Sequence, residues 1–507
     1  MPVATILQPA DGPEVKEAQS THKFIRDIFF SNLPVPFQKF SSYLWLTVFA
    51  HRLGAKDYGA WSLFTTSLGI AGAIATLNAG SAMMRFLNGP KTSHEIDRSI
   101  STVFSMVGAA GLTLGMLIAA FSNWGTVTIF HDRHDRILIL LLAAMLPFEC
   151  VYEEMRGFLR ARRLNRSWAI FTLSFLIPET LATLLVGWYL RSVAAVTWTL
   201  FVCLMLAAVS GALYLNRHCG VRFVRPSQAV MTRYLSFGLP LVPGAMAYFL
   251  SVSADRYLVS YYLDLREVGI YSACFSISAL AFFLVGPIND VLFPELSALY
   301  DSGDSQVFLR RFSSIQKFVF GFSVAAAALL AAFPTDVLGI LASRDFSSGS
   351  ATLAILGIQG IFMALVLLYV VILNVRLKVW SNSTFWVGSG VAIVVLDILL
   401  VPRVGIVGAA VSQLVATTGG AMTLLALNWR LFRQSFPLVW LLQNGVAFAA
   451  AFIVASFWSH PLYIGGLQSC ERLVAGSAAI VASLFLTGYF QPGDLKLLQA
   501  SLLRRAA

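Results

Sequence analysis

Charge is scarce in this chain. Asp, Glu, Lys and Arg make up 12% of its 507 residues, against 57% hydrophobic residues and a mean hydropathy of +0.74. A soluble fold of this length needs about a quarter of its residues charged, so a cytosolic enzyme, a secreted enzyme and a nucleic-acid-binding domain are excluded. Cysteine is sparse too: Cys150, Cys203, Cys219, Cys274 and Cys470 are odd in number and form no CxxC, which suggests neither a disulfide framework nor a zinc site. Residues 1–28 lack an early apolar core, so they read as a disordered cytosolic tail and not as a cleaved signal peptide. There is no P-loop, no Ser-His-Asp set and no acidic metal motif, so no nucleotide, metal or other cofactor is implied. His131-Asp132-Arg133-His134-Asp135 has metal-ligating residue types, but Arg133 lies within it and Arg136 follows directly; it reads as a solvated external turn.

What the chain does contain is apolar runs. One spanning helix takes about 20 residues, and runs of that size lie near 33–52, 60–80, 101–123, 137–155, 168–190, 193–215, 236–261, 268–293, 313–333, 351–374, 380–401, 404–428, 437–458 and 471–489. The expectation is an all-α polytopic membrane protein of about fourteen transmembrane helices. Gly69, Gly72 and Gly80 in the second run, and Gly405, Gly408, Gly419 and Gly420 in the twelfth, predict close helix–helix approach. With the N-terminus inside, about 25 of the 36 basic residues fall in cytosolic segments and about 9 outside. This bias predicts that both termini are cytosolic.

An internal repeat organises the spans. Leu53-Gly54-Ala55-Lys56-Asp57-Tyr58-Gly59-Ala60-Trp61 aligns without a gap on Leu263-Asp264-Leu265-Arg266-Glu267-Val268-Gly269-Ile270-Tyr271. Upstream, Leu33-Pro34-Val35-Pro36 is matched by Leu239-Pro240-Leu241-Val242-Pro243. Both copies run the same way through the bilayer, so the repeat predicts two six-helix lobes related by a pseudo-two-fold axis along the membrane normal and enclosing a cavity. The expected divisions are 29–216 for the N-lobe, 217–429 for the C-lobe, and 430–507 for two extra helices and a cytosolic C-terminal tail.

Phe49-Ala50-His51-Arg52-Leu53-Gly54 with Asp57-Tyr58-Gly59, Tyr234-Leu235-Ser236-Phe237-Gly238-Leu239-Pro240, Ala254-Asp255-Arg256-Tyr257 and Val404-Gly405-Ile406-Val407-Gly408-Ala409-Ala410 resemble polysaccharide-transport flippases. These belong to the multidrug/oligosaccharidyl-lipid/polysaccharide exporter superfamily. The resemblance, from about Phe29 to Leu427, implies two lobes around a V-shaped cationic lumen with two extra C-terminal helices. It also implies a flippase that moves undecaprenyl-diphosphate-linked sugar units across a bacterial inner membrane by alternating access, for exopolysaccharide or O-antigen synthesis. The implied partners are the lipid-linked oligosaccharide, membrane lipids, H⁺ or Na⁺, and a polysaccharide polymerase with its chain-length regulator, with no nucleic acid and a monomeric state. A peptidoglycan-precursor flippase or a multidrug exporter of the same superfamily is the alternative. A membrane enzyme of glycan assembly fits less well, since no loop exceeds about 20 residues and no external domain is available.

Charges inside spans are costly, about 2.5 to 3.5 kcal/mol each on insertion scales, and so mark candidate sites. Lys39 either holds a diphosphate as a point charge or snorkels to the interface. On a straight helix Lys39 and Arg52 point about 220° apart, so one of them faces elsewhere. Asp255-Arg256 is the second candidate: Arg256 can meet phosphate oxygens in bidentate fashion while Asp255 pairs with Arg52, and an outer gate of Arg52 and Arg256 follows from their places in spans one and seven. Arg85 is a candidate for capture of incoming phosphate or an ordinary topology anchor. Glu179, Asp290 and Asp397 are candidate ion-coupling carboxylates, with Glu149 also in a span; Pro178 and Pro287 are expected to break their helices and free carbonyls for a cation. Trp45, Trp61, Trp168, Trp188, Trp198 and Tyr271 can stack on sugars, although interfacial belts use the same residues.

Overall fold

The computed structural model describes residues 33–87, 91–130, 135–376, 379–457 and 466–491. The expected tails, most of the His131–Asp135 turn and the last residues of the chain lie outside them. The elements in chain order are α1 (Pro34–Arg52), α2 (Ala55–Ala75), α3 (Ala79–Phe86), α4 (Ser93–Ala120), α5 (Arg136–Ala161), α6 (Asn165–Leu190), α7 (Val193–Cys219), α8 (Gln228–Gly238) and α9 (Val242–Tyr262). They continue as α10 (Leu265–Ser278), α11 (Val285–Asp301), α12 (Ser305–Ala332), α13 (Pro334–Leu341), α14 (Ser350–Val375), α15 (Val379–Val404), α16 (Ile406–Leu427), α17 (Trp429–Ser435), α18 (Val439–Phe457) and α19 (Gly466–Leu486).

All fourteen expected runs are helical, but the span count is not reproduced by length and apolarity alone. Among the described residues, eleven helices are long and apolar enough to cross a membrane, or twelve if the bent pair α2 and α3 is one span. Of the expected spans, α1 and α5 do not meet that standard. The inner half of α5 carries Glu149, Glu153, Glu154, Arg156 and Arg160, and these charges dilute its apolar run.

Local chemistry explains the element boundaries. Pro34 opens α1, where a missing N–H costs nothing. Thr92 and Glu95 form a reciprocal capping box at the start of α4. Both repeat copies turn sharply into a helix: Gly54 supplies φ +84° before α2, and Asp264 caps α10 by accepting from Glu267 N at 2.8 Å. The second span bends by 46° between α2 and α3, where Leu77 and Asn78 both take positive φ. The eighth breaks at the 3-10 turn Ala279–Phe282.

The expected breaks at proline are not there. Pro178 lies inside the continuous α6, and Pro287 lies in the first turn of α11, where the lost N–H has no intrahelical partner to miss.

Helices α1 and α3 to α7 pack mainly among themselves, as do α9 and α11 to α16, while α2 and α10 pack mainly on each other across the two sets and α18 and α19 lie against α12 and α13. The C-terminal pair is fastened at both ends. Arg472 on α19 meets Asp336 on α13 at 3.2 Å with Ser469 donating to the same carboxylate at 2.9 Å, and Tyr489 donates to Lys317 O at 2.6 Å while its ring faces Gly321. Between the two sets of helices, residues 220–227 run extended along α4. Their backbone is pinned by Asp97 (Arg222 N, 2.9 Å), Ser101 (Val224 N, 2.9 Å) and Thr102 (Ser227 N, 2.9 Å).

The two repeat copies meet each other through α2 and α10. A Cβ on Gly59 would collide with Leu265 O and lie 2.9 Å from Gly269 N, and a Cβ on Gly269 would collide with Ala55 O and lie 3.0 Å from Gly59 N. Backbone thus touches backbone, and only glycine at both positions permits it.

Candidate functional site

A cavity of about 290 Å³ is lined mostly by the second set of helices, with two residues of the first set reaching it. From the first half, α1 contributes Lys39 and α2 contributes Thr66; from the second, α9 contributes Tyr248, Ser251 and Arg256, α10 Phe275, α14 Gln359, α15 Trp386 and α16 Gln413 and Thr417. Ala279 and Phe282 of the broken eighth span complete one wall. The wall is mainly apolar and aromatic, with two cations, two amides and several hydroxyls converging on it, the usual make-up of a site that binds a polar ligand of moderate size.

Arg256 is held in place and only 8% exposed. One terminal nitrogen donates to Val252 O at 2.9 Å, the guanidinium stacks over Phe275 with its carbon 4.6 Å from the ring centroid, and Nε has no hydrogen-bond partner among the described residues. A buried guanidinium with an unused donor is set up to receive an oxygen acceptor. Asp255 points the other way and is fully buried, accepting from the Tyr271 hydroxyl, from Gln413 Nε2 at 3.1 Å and from Arg256 N at 3.2 Å. Gln413 also donates to Ser251 O at 3.2 Å, and Gln359 donates to Thr417 Oγ1 at 3.0 Å, so both amides are oriented by neighbours on facing helices.

The sequence candidates separate into those the fold brings together and those it does not. Lys39 and Arg256 share the cavity. Arg52 does not: its guanidinium carbon sits 3.3 Å from the centroid of the Trp188 ring on α6, the outcome of the angular offset between positions 39 and 52. The expected pairing of Asp255 with Arg52, and with it an Arg52–Arg256 outer gate, is therefore not formed; Asp255 is satisfied by Tyr271, Gln413 and its own neighbour's N–H. Arg85 lies outside the cavity over Phe237 at 4.8 Å. Glu179 is buried in α6 within electrostatic reach of Glu149 on α5, while its neighbours Thr180 and Thr183 meet α1: Trp45 donates to Thr183 at 3.0 Å and Thr180 to Ser41 at 3.2 Å. Asp397 is fully buried, with only the Ser412 hydroxyl near enough to answer it and no well-formed hydrogen bond among the described residues, and it lies within electrostatic reach of Asp255. Asp290 belongs to α11, and its side chain lies outside the described part of the structure.

None of the six aromatics singled out in the sequence lines the cavity. Trp61 stacks with Phe64, Trp168 lies under Arg160, and Tyr271 serves Asp255. The rings that do face it are Tyr248, Phe275, Phe282, Phe385 and Trp386. Gln359 and Gln413 were overlooked as well, although an uncharged amide inside an apolar span carries the same signal as a charge, at lower amplitude. Among the described residues no group of three or more His, Cys, Asp or Glu could hold a metal.

An all-helical chain with many apolar spans and a cavity that takes one cation from each half of the sequence defines a polytopic membrane protein. The signature of the family described as "Polysaccharide biosynthesis protein" runs over residues 24–300, and the chain belongs to that family. The structure is similar to the Lipid II flippase MurJ in an inward closed conformation, with a TM-score of 0.71 at 16% identity over 90% of this chain and 98% of that one. It is also similar to a multidrug resistance MATE family transporter in its inward-facing conformation, with a TM-score of 0.63 at 14% identity over 80% and 95%. An uncharacterized membrane protein of Methanocaldococcus jannaschii is 24% identical over 189 residues, a match covering 37% of each chain.

Proposed function

We propose that this protein is a flippase for undecaprenyl-diphosphate-linked oligosaccharide repeat units, moving them from the cytosolic to the outer leaflet of a bacterial inner membrane by alternating access. One observation carries the reading: Lys39 and Arg256, from different halves of the chain, face a single cavity whose other walls include aromatic rings, amides and hydroxyls. The two cations match a diphosphate, the rings offer faces for sugars, and a cation drug would be repelled. A volume of about 290 Å³ suits a headgroup rather than a whole oligosaccharide, so the cavity has to widen as the lobes rock. The charge bias of the sequence supports cytosolic termini. The peptidoglycan-precursor reading shares the diphosphate and differs in the group that it carries.

Coupling is assigned to carboxylates in the spans, Asp397 first, with Glu179 and Asp290 as further candidates for H⁺ or Na⁺. Two phosphate charges leaving an inside-negative cell already gain about 4.6 kcal/mol per 100 mV, so the gradient would set direction or rate and need not supply the whole driving force.

The test is flipping of undecaprenyl-diphosphate oligosaccharides in proteoliposomes, scored as cargo in the opposite leaflet, with Arg256→Ala and Lys39→Ala beside wild type. A loss of about tenfold or more in each variant is expected. Unchanged transport in both would remove the cavity from the mechanism, and cation-drug efflux without any lipid-linked sugar transport would favour the multidrug exporter.

A further inference from the structure

At the end of the bundle that carries the cytosolic charge bias, α3 and α8 meet in a reciprocal arrangement outside the cavity. Arg85 on α3 stacks over Phe237 of α8 at 4.8 Å, and Arg233 on α8 stacks over Phe86 of α3 at 4.3 Å. Phe86 and Phe237 lie 5.6 Å apart, and Tyr234 fills the space beside Phe86 at 5.3 Å. Below them Gly238 approaches so closely that a Cβ there would collide with Leu77 O. On the other flank Arg162 from the end of α5 donates to Leu87 O at 3.1 Å and closes the C-terminal end of α3.

We infer that Arg85 and Arg233 form a diphosphate-binding site on this seam, separate from the cavity; the inference rests on the flippase reading for its substrate class. A guanidinium that gives its flat face to a ring keeps its N–H edge for planar oxygen acceptors. Both side chains are exposed at that edge, and among the described residues neither makes an ion pair or a side-chain hydrogen bond. Two like charges anchored on one aromatic patch repel each other, and an anion able to touch both relieves that repulsion. The stacking matters because it removes rotamer freedom before the ligand arrives, so less entropy is lost on binding. Two guanidiniums anchored on adjoining rings, which meet at 69°, suit two linked phosphate groups, one for each fork, better than a single phosphodiester with one charge. The source can be the diphosphate of a lipid-linked sugar or the headgroup of an anionic membrane lipid, and the seam assigns the first.

The experiment uses full-length protein in neutral detergent, in a Lys39→Ala/Arg256→Ala background so that the cavity does not contribute, titrated with farnesyl diphosphate by thermophoresis. Adding Arg85→Gln or Arg233→Gln should weaken binding about tenfold each. Inorganic pyrophosphate should compete, while farnesyl monophosphate and phosphatidylglycerol should compete at least tenfold less well. Arg85→Lys and Arg233→Lys, which keep charge but lose the fork, should fall between, and they decide the question if a Gln variant fails to fold. Unchanged binding in the Gln or Lys variants overturns the inference, and so does equal competition by phosphatidylglycerol, which would make the patch a general anionic-lipid contact. If wild type flips lipid-linked sugars while the seam variants bind normally, only this inference fails. If wild type neither flips them nor binds farnesyl diphosphate, the flippase reading fails with it.

Discussion

Gly59 and Gly269 occupy equivalent positions 210 residues apart in the repeat, and they face each other across the contact between α2 and α10 with no room for a side chain on either. The repeat, read from the sequence as a relation between two stretches, is in space a contact between them. Each copy supplies the carbonyl that the other's glycine has to clear: Leu265 O for Gly59 and Ala55 O for Gly269.

Gly59→Ala and Gly269→Ala should each lower stability by about 1 to 3 kcal/mol, because the added methyl meets backbone that cannot rotate away. Gly419→Ala, where nothing lies within 4 Å, should be neutral or gain up to about 1 kcal/mol from helix propensity. Thermal melts in detergent compare the three.

Asp397→Asn tests coupling. Asp397 is buried with no well-formed hydrogen bond among the described residues and lies near Asp255, so losing its charge should leave the melting temperature unchanged or raise it. Flipping should continue but stop responding to an imposed H⁺ or Na⁺ gradient. A response equal to wild type would remove Asp397 from the coupling role.

Tyr489 supplies a graded test of how the C-terminal helices are fastened. Tyr489→Phe gives up the hydrogen bond to Lys317 O and should cost about 1 kcal/mol. Tyr489→Ala also empties the fully buried space against Gly321 and should cost about 3 to 5 kcal/mol. The two melting temperatures, taken with wild type, check the order.

Arg52 is expected to be structural. Trp188→Ala removes its stacking partner and should destabilise by about 0.5 to 2 kcal/mol, with flipping per folded molecule within about twofold of wild type. A tenfold loss of flipping in Arg52→Gln at unchanged stability would return Arg52 to the transport path.

The architecture was legible because composition, apolar run length and charge bias are properties that no tertiary contact overrides. All fourteen runs are helices, and the gap-free repeat located the starts of α2 and α10. The site was legible only in part. Charges in spans stand out, so Lys39 and Arg256 were found, and the 220° offset warned that Arg52 and Lys39 could not share a direction. Which partner satisfies Asp255 was not legible, because Tyr271 and Gln413 reach it from other helices and only the packing brings them near. Proline proved a poor guide to breaks: Pro178 is carried within α6 and Pro287 falls in a first turn, while the real interruptions occur at Leu77–Asn78 and at Ala279–Phe282.

The extended segment 220–227 has a mechanical consequence. Its three backbone bonds to Asp97, Ser101 and Thr102 leave almost no slack between α4 and the start of α8. A connection so short acts like the spine of a book: the covers can swing, but this margin stays together. If the halves rock as the flippase proposal requires, they would pivot near the strap, and the widest opening would fall on the opposite margin of the bundle, giving the cavity one preferred doorway.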